Sequence, residues 1–174
     1  MFLSNKTIQE YIESGKITVI GDIELETTGL AIHLGNELLI PKKDQTFDCK
    51  NPLEIQYEKH DLYISPYTLK PNDFVLGITK QSVNTYKDIL TMIDGRSTYA
   101  RAGMTIHLSA MILDGLPFSN ENSVLEIKNL GNCNIVLHVG EKIGTYLFAQ
   151  LTSPIEGEKH SAYSNQNSVL PPKF

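Results

Sequence analysis

The sequence predicts one mainly β domain, a sandwich or jelly-roll-like barrel, with a short helix at its N-terminus and another inserted later. Three observations carry that expectation. Short runs rich in β-branched and aromatic residues recur: "GLAIHLGNELLI", "HDLYISPYTL", "DFVLGITKQSV", "SVLEIKNL", "CNIVLHVG" and "KIGTYLFAQL". Gly, Pro, Asn and Asp separate these runs, as turns between strands require. The chain has 174 residues, 41% hydrophobic and 20% charged, which is the size and composition of one soluble domain with a sizeable core. The domain is expected to span 1–174, with no internal repeat and no low-complexity tract.

The first element is helical. In "LSNKTIQEYIESGK", Ile8, Tyr11 and Ile12 fall at helical spacing, Ser4 or Asn5 can cap the start, and Gly15 can end it. The β runs follow. They are interrupted at "MIDGRSTYARAG", residues 92–103, where an apolar run stops at a Gly. Ser97 is a good helix N-cap, "TYARA" tolerates a turn or two of helix, and Gly103 can end it. Past the last strand, "SNQNSVLPPKF" is polar and then Pro-rich. The tail is expected to be mobile from about residue 157 unless a ligand or neighbouring subunit orders it.

Charge and cysteine usage narrow the function. The formal net charge is −5, so no basic field attracts nucleic acid. The opening "MFLSNKTIQEY" lacks the apolar core of a signal peptide, and no apolar run approaches the ~18 residues of a membrane span. Two cysteines, Cys49 and Cys133, are too few for a disulfide framework and fit a reducing, cytoplasmic setting. Neither belongs to a CxxC or Cys/His cluster, so no zinc site is visible. His33, His107 and His138 lie in strand-like runs, and His60 and His160 in polar segments. All five read as structural or surface residues.

Three stretches can carry chemistry. Ser97 and Arg101 are four apart and share a helix face. An arginine fork suits phosphate oxygens, helix N-terminal amides attract anions, and Arg96 can reach the same anion. The spacing equally permits an exposed helix with two solvated arginines. In "NSVLEIKNLGN", alternation puts Val124, Glu126 and Lys128 on one face and Ser123, Leu125 and Ile127 on the other. A carboxylate inside an apolar strand is either solvated or pocketed, and pocketing raises a carboxyl pKa towards values useful for proton shuttling. In "HLSAMILDGLPF", Asp114-Gly115 marks a turn, whose acid either stabilises the turn or meets a sugar hydroxyl.

Together these stretches resemble the dCTP deaminase family, within the dUTPase-like trimeric superfamily, over most of the chain. "MFLSNKTIQEYIESGKI" is similar to the family's opening helix, and "LKPNDFVLGITKQSV" to its strand ending in Ser-Val. "DGRSTYARAGMTIHLSAMILD" resembles the GRSS-x-x-R-x-G signature followed by a strand and an Asp. "SVLEIKNLG" resembles the LE-bearing strand with its Asn, "VGEKIGTYLFAQL" the penultimate core strand, and "YSNQ" the nucleotide-closing tail.

The resemblance implies a distorted β-barrel of the dUTPase type, a homotrimer with sites between subunits, and dCTP or dUTP as ligand. Arg96, Ser97, Thr98, Tyr99, Ala100 and Arg101 would hold the triphosphate, with Ser97 and Arg101 nearest the chemistry. Asp114 would contact the deoxyribose, and Val124 and Leu125 would offer backbone to the base. Glu126 would be the general acid/base, the Ala110 carbonyl would anchor the water, and Gln166 would come from the tail. Magnesium would ride on the triphosphate, with no protein ligand cage and no zinc. Zinc deaminases carry an H-x-E plus P-C-x-x-C signature that is absent here, so a carboxylate must take the water's proton and return it to the base.

The chain departs from the family pattern in three places. The V-D-x-R-L-G-like segment reads "GLAIHLG", with Ala31 in place of Asp and His33 in place of Arg. The tail has Pro154-Ile155 for Pro-Tyr and Ala162 for Lys, with Lys159 nearby. The segment "LDGLPFSNENSVLE" is longer than the family's Asp-to-Glu loop and lacks its Pro-Gly-aromatic order. The leading expectation is therefore a dCTP deaminase making dUTP and ammonia. The alternatives are a dUTP diphosphatase or bifunctional enzyme, and a catalytically lapsed nucleotide-binding paralogue.

Overall fold

The computed structural model describes residues 1–50, 55–113, 122–157 and 168–172. Helix α1 spans Asn5–Glu13, with Ser4 at its N-cap in an extended conformation. Ile8 is fully buried, Tyr11 and Ile12 pack at the core's margin, and Gly15 ends the helix with φ +77°. A left-handed φ costs glycine little, which is why the chain turns there.

The described strands are β1 (Ile17–Ile20), β2 (Leu25–Glu26), β3 (Gly29–Pro41), β4 (Tyr57–Asp61), β5 (Tyr67–Leu69) and β6 (Phe74–Thr85). After them come β7 (Ile89–Gly95), helix α2 (Ser97–Arg101), β8 (Met104–Thr105), β9 (Asn122–Asn129), β10 (Ile135–Leu137) and β11 (Lys142–Gln150). The main sheet runs β7-β11-β3-β6-β9-β8, with β1 on β6 and both β2 and β4 on β3, and it curls into a nearly closed barrel. The strand β5 pairs separately with β10. Register shifts between Leu34 and Leu38, and between Ile78 and Ser82, mark irregularities that increase local twist and help a sheet to close.

The all-β expectation holds. Five of the predicted runs hold β3, β6, β9, β10 and β11. The run "HDLYISPYTL" divides between β4 and β5, because the Asp61 carboxylate accepts the Tyr63 N–H at 2.9 Å and closes a turn. Strands β1, β2 and β7 were not among the predicted runs. Strand β7 is buried at Ile89 and again across Thr91–Ile93, so its outline lacks the clean alternation by which a half-buried strand is recognised. The strand implied after the GRS signature is only two residues long. Beyond it Met111–Leu113 bond to β7, with Ile93 N donating to the Met111 carbonyl at 2.7 Å and Leu113 N to the Thr91 carbonyl at 3.0 Å.

The core lies inside the barrel. Ile8, Leu30, Ile32, Leu34, Leu125, Ile127, Tyr146 and Phe148 meet there, each at 0% exposure. A second, smaller cluster of Leu39, Leu76, Ile78 and Val169 has Val124 packed against it. Most of the segment expected to be mobile, residues 158–167, lies outside the described residues. Val169 does not behave as a loose tail residue. Its N–H donates to Glu37 Oε2 at 3.1 Å, and its side chain is 2% exposed.

Candidate active site

Helix α2 follows β7 directly. Arg96 holds the N-cap in an extended conformation, and its carbonyl accepts the Ala100 N–H at 2.9 Å. The cap position thus falls one residue earlier than Ser97, which is the first helical residue. Ser97, Thr98, Ala100 and Arg101 are exposed. Tyr99 points the other way: it packs against the core and donates to Glu141 Oε2 at 3.1 Å, anchoring the helix. Burial and then the Glu141 carboxylate raise the Tyr99 phenol above its ordinary pKa. Gly103 ends the helix with φ +92°. A Cβ on Gly103 would meet Gly131 Cα at 2.4 Å, so two glycines let α2 lie against the turn after β9.

Arg96 is not free. Its Nη1 donates to Glu26 Oε1 at 2.5 Å, and Thr145 Oγ1 donates to Glu26 Oε2 at 2.6 Å. Burial pushes the Glu26 carboxyl up, but the Thr145 hydroxyl, the Arg96 guanidinium and Lys142 together hold it below its ordinary value. Lys142 Nζ stands 3.7 Å from Glu26 and 2.5 Å from Glu24, and His33 Nε2 faces the other Glu24 oxygen at 3.1 Å. The network ends in Gln81, which is fully buried. Its amide donates to the Ala31 carbonyl at 3.0 Å and to His33 Nδ1 at 2.7 Å, and its Oε1 accepts the His33 N–H at 3.1 Å. Gln81 therefore occupies the polar space around the two places where "GLAIHLG" departs from the family pattern.

Glu126 sits on β9 opposite Leu76 of β6. It is half-buried, while Leu125 and Ile127 beside it are fully buried, as the alternation predicts. Its carboxylate accepts the Leu108 N–H at 2.9 Å, and its own N–H donates to the Ile106 carbonyl at 2.9 Å. Ala110 lies two residues beyond Leu108 and is exposed. Along a strand, successive residues turn their backbone groups to opposite edges. Val124 therefore faces the same edge as Glu126, beyond the end of β8. The Leu125 backbone faces β6, opposite Gly77.

The two halves of the site stand apart within one chain. Leu130 N donates to the Gly103 carbonyl at 2.7 Å, so the end of α2 faces the end of β9. Glu126 is four residues back along that strand, roughly 13 Å away at a rise of ~3.3 Å per residue. Asp114 and Gln166, with Lys159 and Ala162, lie outside the described residues. Glu26, Thr145, Lys142 and Glu141 were missed by sequence reading. They reach the site from β2, the end of the β10–β11 turn and β11, and no local spacing links them to α2.

Among the described residues, no group of three or more His, Cys, Asp or Glu is placed to hold a metal ion. No described helix is long and apolar enough to cross a membrane. Both Cys49 and Cys133 are exposed and free.

The family model "dCTP deaminase-like" matches residues 2–151. The chain is 31% identical over 192 residues to the "dCTP deaminase, dUMP-forming" of Dictyoglomus turgidum, covering 100% of this chain and 95% of that relative. Its fold is similar to the crystal structure of a 2'-deoxycytidine 5'-triphosphate deaminase from Agrobacterium tumefaciens, with TM-score 0.63 and 14% identity, over 84% of this chain and 47% of that one. It is also similar to the EIAV dUTPase, with TM-score 0.53 and 14% identity, over 84% of this chain and 98% of that one. On that family model and that relative, this chain belongs to the dCTP deaminase-like family.

Proposed function

We propose that the protein hydrolyses dCTP, releasing ammonia and forming dUTP, in cytoplasmic pyrimidine deoxynucleotide metabolism. The observation that carries this reading is Glu126: a half-buried carboxylate on β9 held by the Leu108 N–H. Deamination needs water to add to C4, a proton to reach N3, and the amine to leave. Glu126 takes a proton from the water as the C4–O bond forms and delivers it to N3. The C4 hydroxyl proton then passes to the amine, the C4–N bond breaks as the C4–O bond becomes a carbonyl, and ammonia departs. The carbonyl of Ala110 is the water's second anchor, and Arg101 steadies the charge that develops. Val124 offers its backbone to the base, with Leu125 behind it. Asp114 meets the deoxyribose, and Gln166 closes over the nucleotide.

Arg96, Ser97, Thr98 and Arg101 receive the triphosphate, with Ala100 in the helix backbone between them. Tyr99 serves from the core side, as the anchor of α2. A magnesium ion would be held by the triphosphate and water, where it neutralises phosphate charge. By the family resemblance, the protein would act as a homotrimer with its sites between subunits. The two free cysteines support the reducing compartment.

A second reading is favoured by one observation: the 31% identical relative from Dictyoglomus turgidum is named dUMP-forming. In that reading the same site goes on to hydrolyse dUTP to dUMP and diphosphate. Purified protein incubated with dCTP and magnesium, and separately with dUTP, distinguishes the two by chromatography of the products. Accumulation of dUTP from dCTP supports the deaminase alone. Appearance of dUMP and diphosphate supports the second reading. A chain that changes neither nucleotide is not the enzyme proposed.

A further inference from the structure

We propose that Glu26 is the positioning residue of the triphosphate hand. It fixes the Arg96 guanidinium from behind and leaves the remaining N–H groups presented at the start of α2. This rests on the reading that Arg96 receives phosphate.

A guanidinium carries five N–H donors in a rigid fork, so holding one of them orients the rest. Glu26 Oε1 takes one such donor, from Nη1. The carboxylate is itself locked, because its other oxygen accepts the Thr145 hydroxyl at 2.6 Å. Both partners are partly withdrawn from water, with side-chain exposures of 30% for Arg96 and 26% for Glu26. Pairing there is less screened than on an open surface.

The backbone is built for this contact. Glu26 is the last residue of β2, whose hairpin returns at Gly29. A Cβ on Gly29 would lie 2.4 Å from both Thr145 Cγ2 and the Tyr146 carbonyl. Only glycine therefore lets β3 start so close to β11, and that closeness brings Glu26 to Thr145. Lys142 pairs mainly with Glu24, at 2.5 Å, and stands farther from Glu26 Oε1, at 3.7 Å, so the short contacts of Glu26 are those to Arg96 and Thr145. An arginine already ordered loses less freedom on binding than one recruited from solution, which is the gain from preorganisation.

The test uses the full-length chain carrying Glu126→Gln, so that nucleotide is bound without turnover. Calorimetry gives the Kd of dCTP with magnesium, and of deoxycytidine, in four proteins: the parent, Glu26→Ala, Arg96→Ala and the double variant. Positioning predicts a Kd for dCTP raised about fivefold to tenfold by Glu26→Ala and at least as much by Arg96→Ala. The double variant should be no worse than Arg96→Ala alone, and the affinity for deoxycytidine should stay put, since it carries no phosphate. Glu26→Gln, which keeps the shape and can still accept from Arg96, should fall between parent and alanine, and it serves if the alanine variant does not fold.

Several outcomes overturn the proposal. Tighter dCTP binding in Glu26→Gln would mean that the carboxylate competes with phosphate for Arg96. Multiplying losses in the double variant, or equal losses for dCTP and deoxycytidine, would reduce Glu26 to a structural role. An Arg96→Ala variant that binds dCTP as the parent does would instead remove Arg96 from the triphosphate site, and this proposal with it.

Discussion

The Glu126 carboxylate accepts a hydrogen bond from the Leu108 backbone N–H at 2.9 Å, which ties the candidate general acid/base to the chain two residues before Ala110. Glu126→Gln keeps an acceptor for Leu108 but cannot take a proton from water. It is expected to lose deamination by about 10²–10⁴-fold in kcat, the usual contribution of a general acid/base. The midpoint of thermal unfolding should hardly move. A variant that retains more than a tenth of the parent's kcat would remove Glu126 from the proton path.

The packing of Gly131 under α2 gives a second expectation. An alanine Cβ at Gly131 would lie 2.3 Å from the Ala102 carbonyl oxygen and 3.2 Å from Gly103 Cα. Those neighbours are backbone, so the end of α2 has to shift. Overpacking of this kind costs about 1–3 kcal/mol. Gly131→Ala should lower the urea midpoint accordingly and raise KM for dCTP, because the triphosphate helix moves. A destabilised variant with an unchanged KM would show that α2 keeps its place by other means.

Much of this fold was legible because its signals are local. Alternation in "SVLEIKNL" put Leu125 and Ile127 on one face and Glu126 on the other, and the structure buries the first two and half-buries Glu126. Gly15 and Gly103 announced the helix ends through the conformations they adopt. The polar network behind α2 was not legible. Glu26 and Arg96 are seventy residues apart and Glu26 and Thr145 more than a hundred, and they meet only because β2 and β11 both pair with β3. Gln81 was unreadable for the same reason: nothing in "ITKQSV" marks its amide as the partner of His33 and Ala31. The anchoring of Val169 depends on a distant cluster around Leu39, Leu76 and Ile78.

Acid sensitivity follows from two carboxylates. The Gln150 amide holds the Asp88 carboxyl below its ordinary value; burial opposes this, and Lys16 at 3.5 Å adds to it. For Glu26 the larger influence of burial is overcome by Thr145, Arg96 and Lys142. A carboxyl whose folded pKa lies below its unfolded pKa stabilises the fold above the unfolded value. That contribution fades as pH falls through the folded value. Urea midpoints should therefore be level down to about pH 5 and decline below about pH 4, the ordinary carboxylate range. Asp88→Asn should be less stable than the parent at pH 7 and lose less on acidification. Equal acid losses in the two proteins would take Asp88 out of the account.

Asn129 carries the last expectation. Its side chain is fully buried where β9 turns towards α2. The amide nitrogen donates to the Leu69 carbonyl at 3.0 Å and to the Cys133 carbonyl at 2.9 Å, and the amide oxygen accepts the Gly131 N–H at 3.0 Å. Asn129→Ala strips three backbone groups of a partner, and each buried group left unsatisfied costs about 1–3 kcal/mol. Asn129→Asp is the sharper probe, because it conserves the shape and the acceptor for Gly131. It sets a carboxylate oxygen against two carbonyl oxygens, so the charged form is disfavoured and the folded pKa of the new acid should rise above its unfolded value. Such a group destabilises the fold at pH 7, and the penalty should shrink as pH falls towards 5 and the acid gains a proton that it can donate. The parent should show no such recovery over that range. Urea midpoints at pH 7 and pH 5 decide it, and an aspartate variant as stable as the parent at pH 7 would mean that the two donated hydrogen bonds contribute nothing to holding this turn.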